Sequence, residues 1–253
     1  MVIHKRSLGD TGIQVSELAL GTVKFGRSQG LKHLIRPSIP NDEELAELLI
    51  QAKTLGITLL DTAPAYGESE ARIGKLLAGE INDWTISTKV GEEFDGSQSK
   101  FDFSPEAIEA SVYRSIERLG KECLDLVFIH SNGRDEEILL QFGALETLKN
   151  LKKRGIIRAV GISYKTHAGA QIAISQRADV LMATLNSLDT SQENLIKEAH
   201  RQNIGVLVKK PFDSGHDASQ SSLKFVLSRE GVSSAVIGTT STKHLQENAT
   251  WLS

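Results

Sequence analysis

Four side chains in this sequence have the types and placement to move a proton onto a carbonyl oxygen: Asp61, Tyr66, Lys89 and His130. Asp61, Lys89 and His130 each close a short apolar run: Thr58-Leu59-Leu60, Trp84-Thr85-Ile86-Ser87 and Leu124 to Ile129. Tyr66 follows Asp61 in the loop Thr62-Ala63-Pro64-Ala65-Tyr66-Gly67. A tyrosine hydroxyl titrates at about 10, too high for easy proton exchange near neutrality. A neighbouring ammonium favours the phenolate, so Lys89 is expected to lower that pKa toward the useful range. Asp61 would hold Lys89 charged and oriented. His130 would donate a hydrogen bond that places a carbonyl oxygen. Taken alone, Asp61 and Lys89 also read as a structural ion pair, and His130 as a satisfied core histidine.

Such residues need a scaffold that gathers strand ends. Apolar runs recur at Leu18-Ala19-Leu20, Thr58-Leu59-Leu60, Trp84 to Ser87, Leu124 to Ile129, Ile157 to Ile162, Val180 to Ala183, Gly205 to Val208 and Ser234 to Ile237. After each comes a longer stretch of helical period, Glu43–Leu55, Glu68–Leu77, Pro105–Leu119, Leu140–Arg154, His167–Ser175, Gln192–Gln202, Ser219–Arg229 and Thr242–Trp251. Runs apolar on both faces fit parallel strands covered by helices. Eight strand-then-helix units make an α/β (β/α)8 TIM barrel the economical architecture, one domain over residues 1–253. An open doubly wound sheet is the alternative, but neither G-x-G-x-x-G nor a P-loop is present. Ile3–Leu8 and Ile13–Val15 flank Gly9-Asp10-Thr11-Gly12, the pattern of an N-terminal β-hairpin, expected to cap the barrel floor. Lys24 to Pro40 reads as a long loop beside the active face. It carries Arg27, Lys32, His33 and Arg36, as a solvated loop or a substrate clamp.

The composition sets the surroundings. The chain has 253 residues, 40% hydrophobic and 24% charged, enough for a large core and far from the disordered range. A net charge of -3 without a basic run gives no support to a nucleic-acid surface. No window is long and apolar enough to span a bilayer, and the start lacks the apolar core of a signal peptide. The single cysteine, Cys123, has no internal partner and favours a reducing cytoplasm, where it reads as a packed thiol. His4, His33, His167, His200 and His216 lack metal-ligand spacing, so no metal is expected.

L-A-L-G-T (18–22), L-L-D-T-A-P-A-Y-G-E-S-E (59–70), S-T-K-V-G (87–91), F-I-H (128–130), G-I-S (161–163) and V-I-G-T-T-S-T-K-H-L-Q-E-N (236–248) resemble the aldo-keto reductase family. The similarity is collinear from Leu8 to Asn248, and D-T-A-x-x-Y-G-x-S-E is its most specific part. The resemblance implies hydride transfer between NADPH, or NADH, and an aldehyde or ketone. It implies Tyr66 as general acid, Asp61 and Lys89 as its tuning pair and His130 as the substrate-orienting group. It places Gly21, Thr22, Val23 and Asp61 at the nicotinamide end and Ser163, with Asn186, near the carboxamide. Lys209, Lys210, Pro211 and Phe212 follow along the cofactor. Gly238, Thr239, Thr240, Ser241, His244, Glu247 and Asn248 fall at the adenosine-phosphate site, where late loops and a helix N-terminus make an anion site.

The chain departs from the family pattern in several places. Tyr164 stands where asparagine is common after the serine, and Met182 where glutamine is common. Lys209 replaces the usual aromatic that stacks on the nicotinamide, so it is expected to reach the pyrophosphate instead. Tyr164 and Phe212 read equally as pocket walls or core packing. The segment P-F-D-S-G-H-D-A-S-Q-S-S is short, and few residues follow Asn248, which predicts an open site with fast cofactor exchange and broad substrate range. Three classes are open at this point: a carbonyl reductase acting on a small molecule as a monomer, a barrel enzyme forming a Schiff base through Lys89, and a cofactor-binding regulatory or sensor protein with little turnover.

Overall fold

The computed structural model describes residues 3–30 and 38–252. Lys32, His33 and Arg36 of the expected rim loop lie outside them.

The chain opens with an antiparallel hairpin of β1 (Lys5–Ser7) and β2 (Gln14–Ser16). The barrel then begins with β3 (Leu18–Gly21), a single helical turn α1 (Val23–Gly26), α2 (Asp42–Thr54), β4 (Leu59–Asp61) and α3 (Ser69–Leu76). After β5 (Thr85–Val90) a second hairpin intervenes, β6 (Glu92–Phe94) and β7 (Ser99–Phe101), before α4 (Pro105–Leu119) and β8 (Leu124–His130). The rest alternates: α5 (Ala144–Lys153), β9 (Ile157–Ser163), α6 (His167–Ser175), β10 (Val180–Thr184), α7 (Glu193–Arg201), β11 (Gly205–Lys209), α8 (Gln220–Leu227), β12 (Ser234–Ile237) and α9 (Thr242–Thr250).

Eight parallel strands close on themselves in the order β3, β4, β5, β8, β9, β10, β11, β12. Parallel register sets Asp61 against Ser87, Lys89 against Phe128 and His130 against Ser163, so their polar residues share one rim. Inside the barrel, Ala19, Leu59, Leu126, Phe128, Ala159, Val180, Met182, Leu207 and Val236 pack with Leu8, Ile13 and Val15 of the first hairpin. That hairpin therefore caps the barrel floor, as its Asp-Gly turn pattern led us to expect. Met182 is an interior filler. The larger core lies between strands and helices, where stripes such as Ile108, Val112, Ser115 and Leu119 on α4 meet the sheet.

Capping explains the helix starts. Ser104 accepts from Ala107 N with Pro105 in the first turn, and Asn41 forms a reciprocal capping box with Glu44. Two features differ from the sequence reading. A π-turn over Glu137–Gln141 runs into the stretch expected as a helix from Leu140, and α5 starts only at Ala144, after Gly143. Leu140, where the helical stretch was expected to begin, is exposed. The β6–β7 hairpin was not anticipated, because Glu92-Glu93-Phe94 is short and polar. Its turn is built locally by Asp95, whose carboxylate accepts from Ser97 N, Ser97 Oγ and Gln98 N.

Candidate active site

Four chain segments bring the proposed chemical groups to one end of the barrel. Asp61 ends β4, Lys89 lies near the end of β5, and His130 ends β8. Tyr66 sits on a 3-10 turn, Pro64–Tyr66, directly after β4. Lys89 Nζ donates to both Asp61 oxygens and to Thr62 O, all at 2.8 Å. Ser87 Oγ donates to Asp61 Oδ1 at 2.8 Å, completing a buried cage. Both charged side chains are almost fully enclosed, at 2% and 6% exposure, so each depends on the other for its charge.

The Lys89 ammonium lies 4.8 Å from the centre of the Tyr66 ring. The His130 ring meets Tyr66 edge-on, with centres 6.2 Å apart. Burial alone would lower the Lys89 pKa, but Asp61 and Tyr66 outweigh it and hold the ammonium. For Tyr66 the balance runs against our expectation: burial raises its pKa, and Lys89 recovers only part of that. Spacing shows the partner but not the depth of burial, and the enclosure of the ring favours Tyr66 as a neutral phenol. A neutral phenol has the proton that a general acid gives away.

His130 is held by a residue the sequence reading missed. Glu92, the first residue of β6, puts Oε2 2.8 Å from His130 Nδ1. The approach is short but off the ideal Nδ1–H axis. Burial would push the Glu92 carboxyl up, yet His130, Ser99 and Arg27 together hold it at about 2. Burial lowers the His130 pKa, with Lys89 and Lys209 adding to the effect and Glu92 opposing it. Arg27, read as a rim loop residue, is instead largely enclosed. It stacks 3.9 Å from the Phe94 ring centre and donates to Ala65 O at 2.9 Å, next to Tyr66. A polar run beginning two residues after a barrel strand was the only available signal for Glu92.

The residues expected to meet a cofactor lie at the ends of β3, β9 and β11, in the segments that follow β10 and β11, and around α9. Thr22 is buried and ties strand ends together, donating to Asp61 O at 3.0 Å beside Gly21 and Val23. Ser163 accepts from Lys209 Nζ at 2.9 Å, and the same ammonium donates to Tyr164 O at 2.9 Å. The Lys209 ammonium is thus turned to the end of β9. Burial, with Lys210, Lys89 and Lys165 nearby, draws its pKa down to about 7. Asn186 spends its amide on its own loop, accepting from Leu188 N and Asp189 N and donating to Lys210 O. Phe212, beyond Pro211, packs edge-on against Trp251. Tyr164 is buried, and its hydroxyl has no hydrogen-bond partner among the described residues.

A nicotinamide dinucleotide is an anion with an amide at one end. Ser163 Oγ and Lys209 Nζ, at the ends of β9 and β11, are polar groups of the kind an amide pairs with, and Lys209 Nζ is hydrogen-bonded to Ser163 and Tyr164 O. At the far end Ser241 caps α9 by accepting from His244 N, next to Gly238, Thr239 and Thr240, and a Cβ on Gly238 would meet open space. Glu247 and Asn248 lie on the same helix, and Lys24 reaches across to Gly238 O at 3.4 Å. Free N–H groups at a helix start, with a lysine nearby, fit a phosphate. Among the described residues no group of three or more His, Cys, Asp or Glu is placed to hold a metal ion, and no helix is long and apolar enough to cross a membrane.

The family model described as "Aldo/keto reductase family" matches residues 17–221. A solved Pseudomonas aeruginosa structure designated an aldo-keto reductase is 42% identical, covers 99% of this chain and 95% of its own, and superposes with a TM-score of 0.91. The holo form of a Bacillus halodurans aldo-keto reductase shares the fold, with a TM-score of 0.85 at 23% identity over 99% of this chain and 91% of that one. Among curated proteins, the NADH-specific methylglyoxal reductase of Escherichia coli is 28% identical across 84% of this chain and 68% of its own length. With this barrel, and with Asp61, Tyr66, Lys89 and His130 at its rim, the chain belongs to the aldo/keto reductase family of oxidoreductases.

Proposed function

We propose that this chain is an NADPH-dependent reductase of small aldehydes or ketones, with Tyr66 as its general acid. The observation that carries the reading is the Asp61–Lys89 cage 4.8 Å from the Tyr66 ring. The cofactor, when bound, supplies a hydride to the carbonyl carbon. Tyr66 gives its proton to the carbonyl oxygen as negative charge develops there. The phenolate left behind faces a permanent ammonium, which Asp61, Ser87 and Thr62 keep in place. His130 orients the oxygen. In the reverse direction the phenolate accepts the alcohol proton.

Gly21, Thr22, Val23, Ser163, Asn186, Lys209–Phe212, Gly238–Ser241, His244, Glu247 and Asn248 form the cofactor path in this reading. Whether His244 and its neighbours favour NADPH is tested against NADH, since the E. coli relative is named NADH-specific. A cytoplasmic monomer is the setting we assign. Lys89 is a poor Schiff-base nucleophile here, because Asp61 and Thr62 occupy its protons and keep its lone pair bonded to hydrogen. The test is oxidation of NADPH and NADH against a panel of small aldehydes and ketones, with Tyr66→Phe alongside. Turnover by wild type that Y66F loses supports the reading. Tight NADPH binding without multiple turnover would favour a sensor instead.

A further inference from the structure

Glu92 has no part in the proton transfer described above, yet its carboxylate is enclosed beside it, at 11% exposure. Its two oxygens have different duties. Oε1 accepts from Ser99 Oγ at 2.5 Å, across the β6–β7 hairpin, and lies 3.6 Å from an Arg27 guanidinium nitrogen. Oε2 is left for His130 Nδ1, at 2.8 Å.

A neutral imidazole has one proton for two nitrogens. Beside a carboxylate that proton belongs on Nδ1, because the other tautomer would set a lone pair against a negative oxygen. Among the described residues, Lys89 on β5 and Lys209 on β11 also act on the ring, and both oppose a second proton. Asp61 on β4 is engaged by Lys89, and Tyr66 meets the ring as a neutral phenol. A neutral His130 therefore has Nε2 bare, able to accept but not to donate. A carbonyl oxygen requires a donor.

We propose that Glu92 is a positioning residue that fixes the proton of neutral His130 on Nδ1, so that His130 donates to a carbonyl only as the imidazolium and, when neutral, accepts from a hydroxyl. The inference rests on the reading of His130 as the group that orients the substrate oxygen. The proton given to substrate still comes from Tyr66, and the second proton on His130 comes from solvent. Carbonyl reduction is then favoured on the acid side of the His130 titration and alcohol oxidation on the alkaline side. A glutamine at position 92 has the same shape and an oxygen for Ser99, but it can turn its amide N–H toward Nδ1, which releases the ring proton to Nε2.

The experiment is nitrogen NMR of the full-length protein labelled at histidine, titrated from about pH 5 to about pH 9 across the histidine range. Wild type is compared with Glu92→Gln, and His130→Asn assigns the signal. We expect wild-type His130 to be the Nδ1–H tautomer when neutral. In E92Q the tautomer shifts toward Nε2–H and the midpoint falls by about one pH unit, the usual size of a lost carboxylate contact. In parallel, kcat/KM for aldehyde reduction by wild type falls as His130 deprotonates, and E92Q loses that limb. A wild-type Nε2–H tautomer overturns the proposal, and this readout remains if E92Q fails to fold. An E92Q protein with lower Tm but unchanged tautomer and pH profile also overturns it, leaving Glu92 as an anchor of the hairpin. A fully active Tyr66→Phe would instead defeat the reading of the site, and the tautomer, read without substrate, would be untouched by that result.

Discussion

Gly26, at the end of α1, and Gly67, after the Tyr66 turn, meet backbone to backbone. A Cβ on Gly26 would fall 2.4 Å from Tyr66 O and 2.5 Å from Glu68 N, and one on Gly67 would fall 2.4 Å from Gly26 O. Gly67 also holds a φ of +61°, where side chains are strained. This contact fixes the height of the Tyr66 turn over the rim. Gly26→Ala should therefore destabilise the protein by about 1–3 kcal/mol through overpacking. It should also lower kcat by about 10- to 100-fold by displacing the Tyr66 hydroxyl. Denaturant melts and steady-state kinetics read the two effects separately, and unchanged kcat would show that the turn has slack.

The Asp61–Lys89 pair predicts an asymmetry. Asp61→Asn leaves an uncompensated ammonium in a closed cage, which should cost about 3–5 kcal/mol. Adding Lys89→Met removes that stranded charge, so the double variant should recover part of the loss. Chemical denaturation of the two single variants and the double variant measures the coupling. Additive losses would mean that the cage is wetter than its 2% and 6% exposures indicate.

Tyr66→Phe keeps the ring against His130 and Lys89 and deletes only the acid. The expected result is a fall in kcat of about 10²- to 10⁴-fold with the NADPH dissociation constant little changed. Fluorescence titration of the cofactor, beside turnover assays, separates chemistry from binding.

Lys209 should leave a signature in stability. Its pKa lies at about 7 against an ordinary 10.5, so between those values the unfolded chain binds more protons than the folded one. Its contribution to stability thus rises with pH across that window and is least favourable below about 7. Lys209→Met removes this slope. The stability of the variant relative to wild type should be highest at low pH and decline as pH rises toward the alkaline end, as thermal melts at several pH values will show. If the ammonium also meets the cofactor, K209M weakens NADPH binding. An unchanged dissociation constant would confine Lys209 to Ser163 and Tyr164.

The barrel and three of its rim residues were legible because parallel strands announce themselves as apolar runs, and a polar residue ending such a run has only the rim to occupy. Asp61, Lys89 and His130 all follow that rule. Glu92 does not. Its hairpin is too short and polar to read as strand, and its meaning comes from His130, which is far away in sequence and adjacent only after the barrel closes. Arg27 was read from its loop composition as exposed, and Phe94, itself on the unread hairpin, is what encloses it. The direction of the Tyr66 pKa was hidden for a related reason: a motif names the neighbouring charge but not the amount of water excluded around it.

The stopper at the barrel floor has a kinetic meaning. Leu8, Ile13 and Val15 close the lower end beneath an interior already filled by Leu59, Leu126, Phe128 and Met182, which leaves the rim at the strand ends as the open face. The proposed cofactor and substrate would share that one doorway. In the proposed reading initial-rate and product-inhibition patterns should therefore be ordered, with the deeper of the two molecules entering first and leaving last.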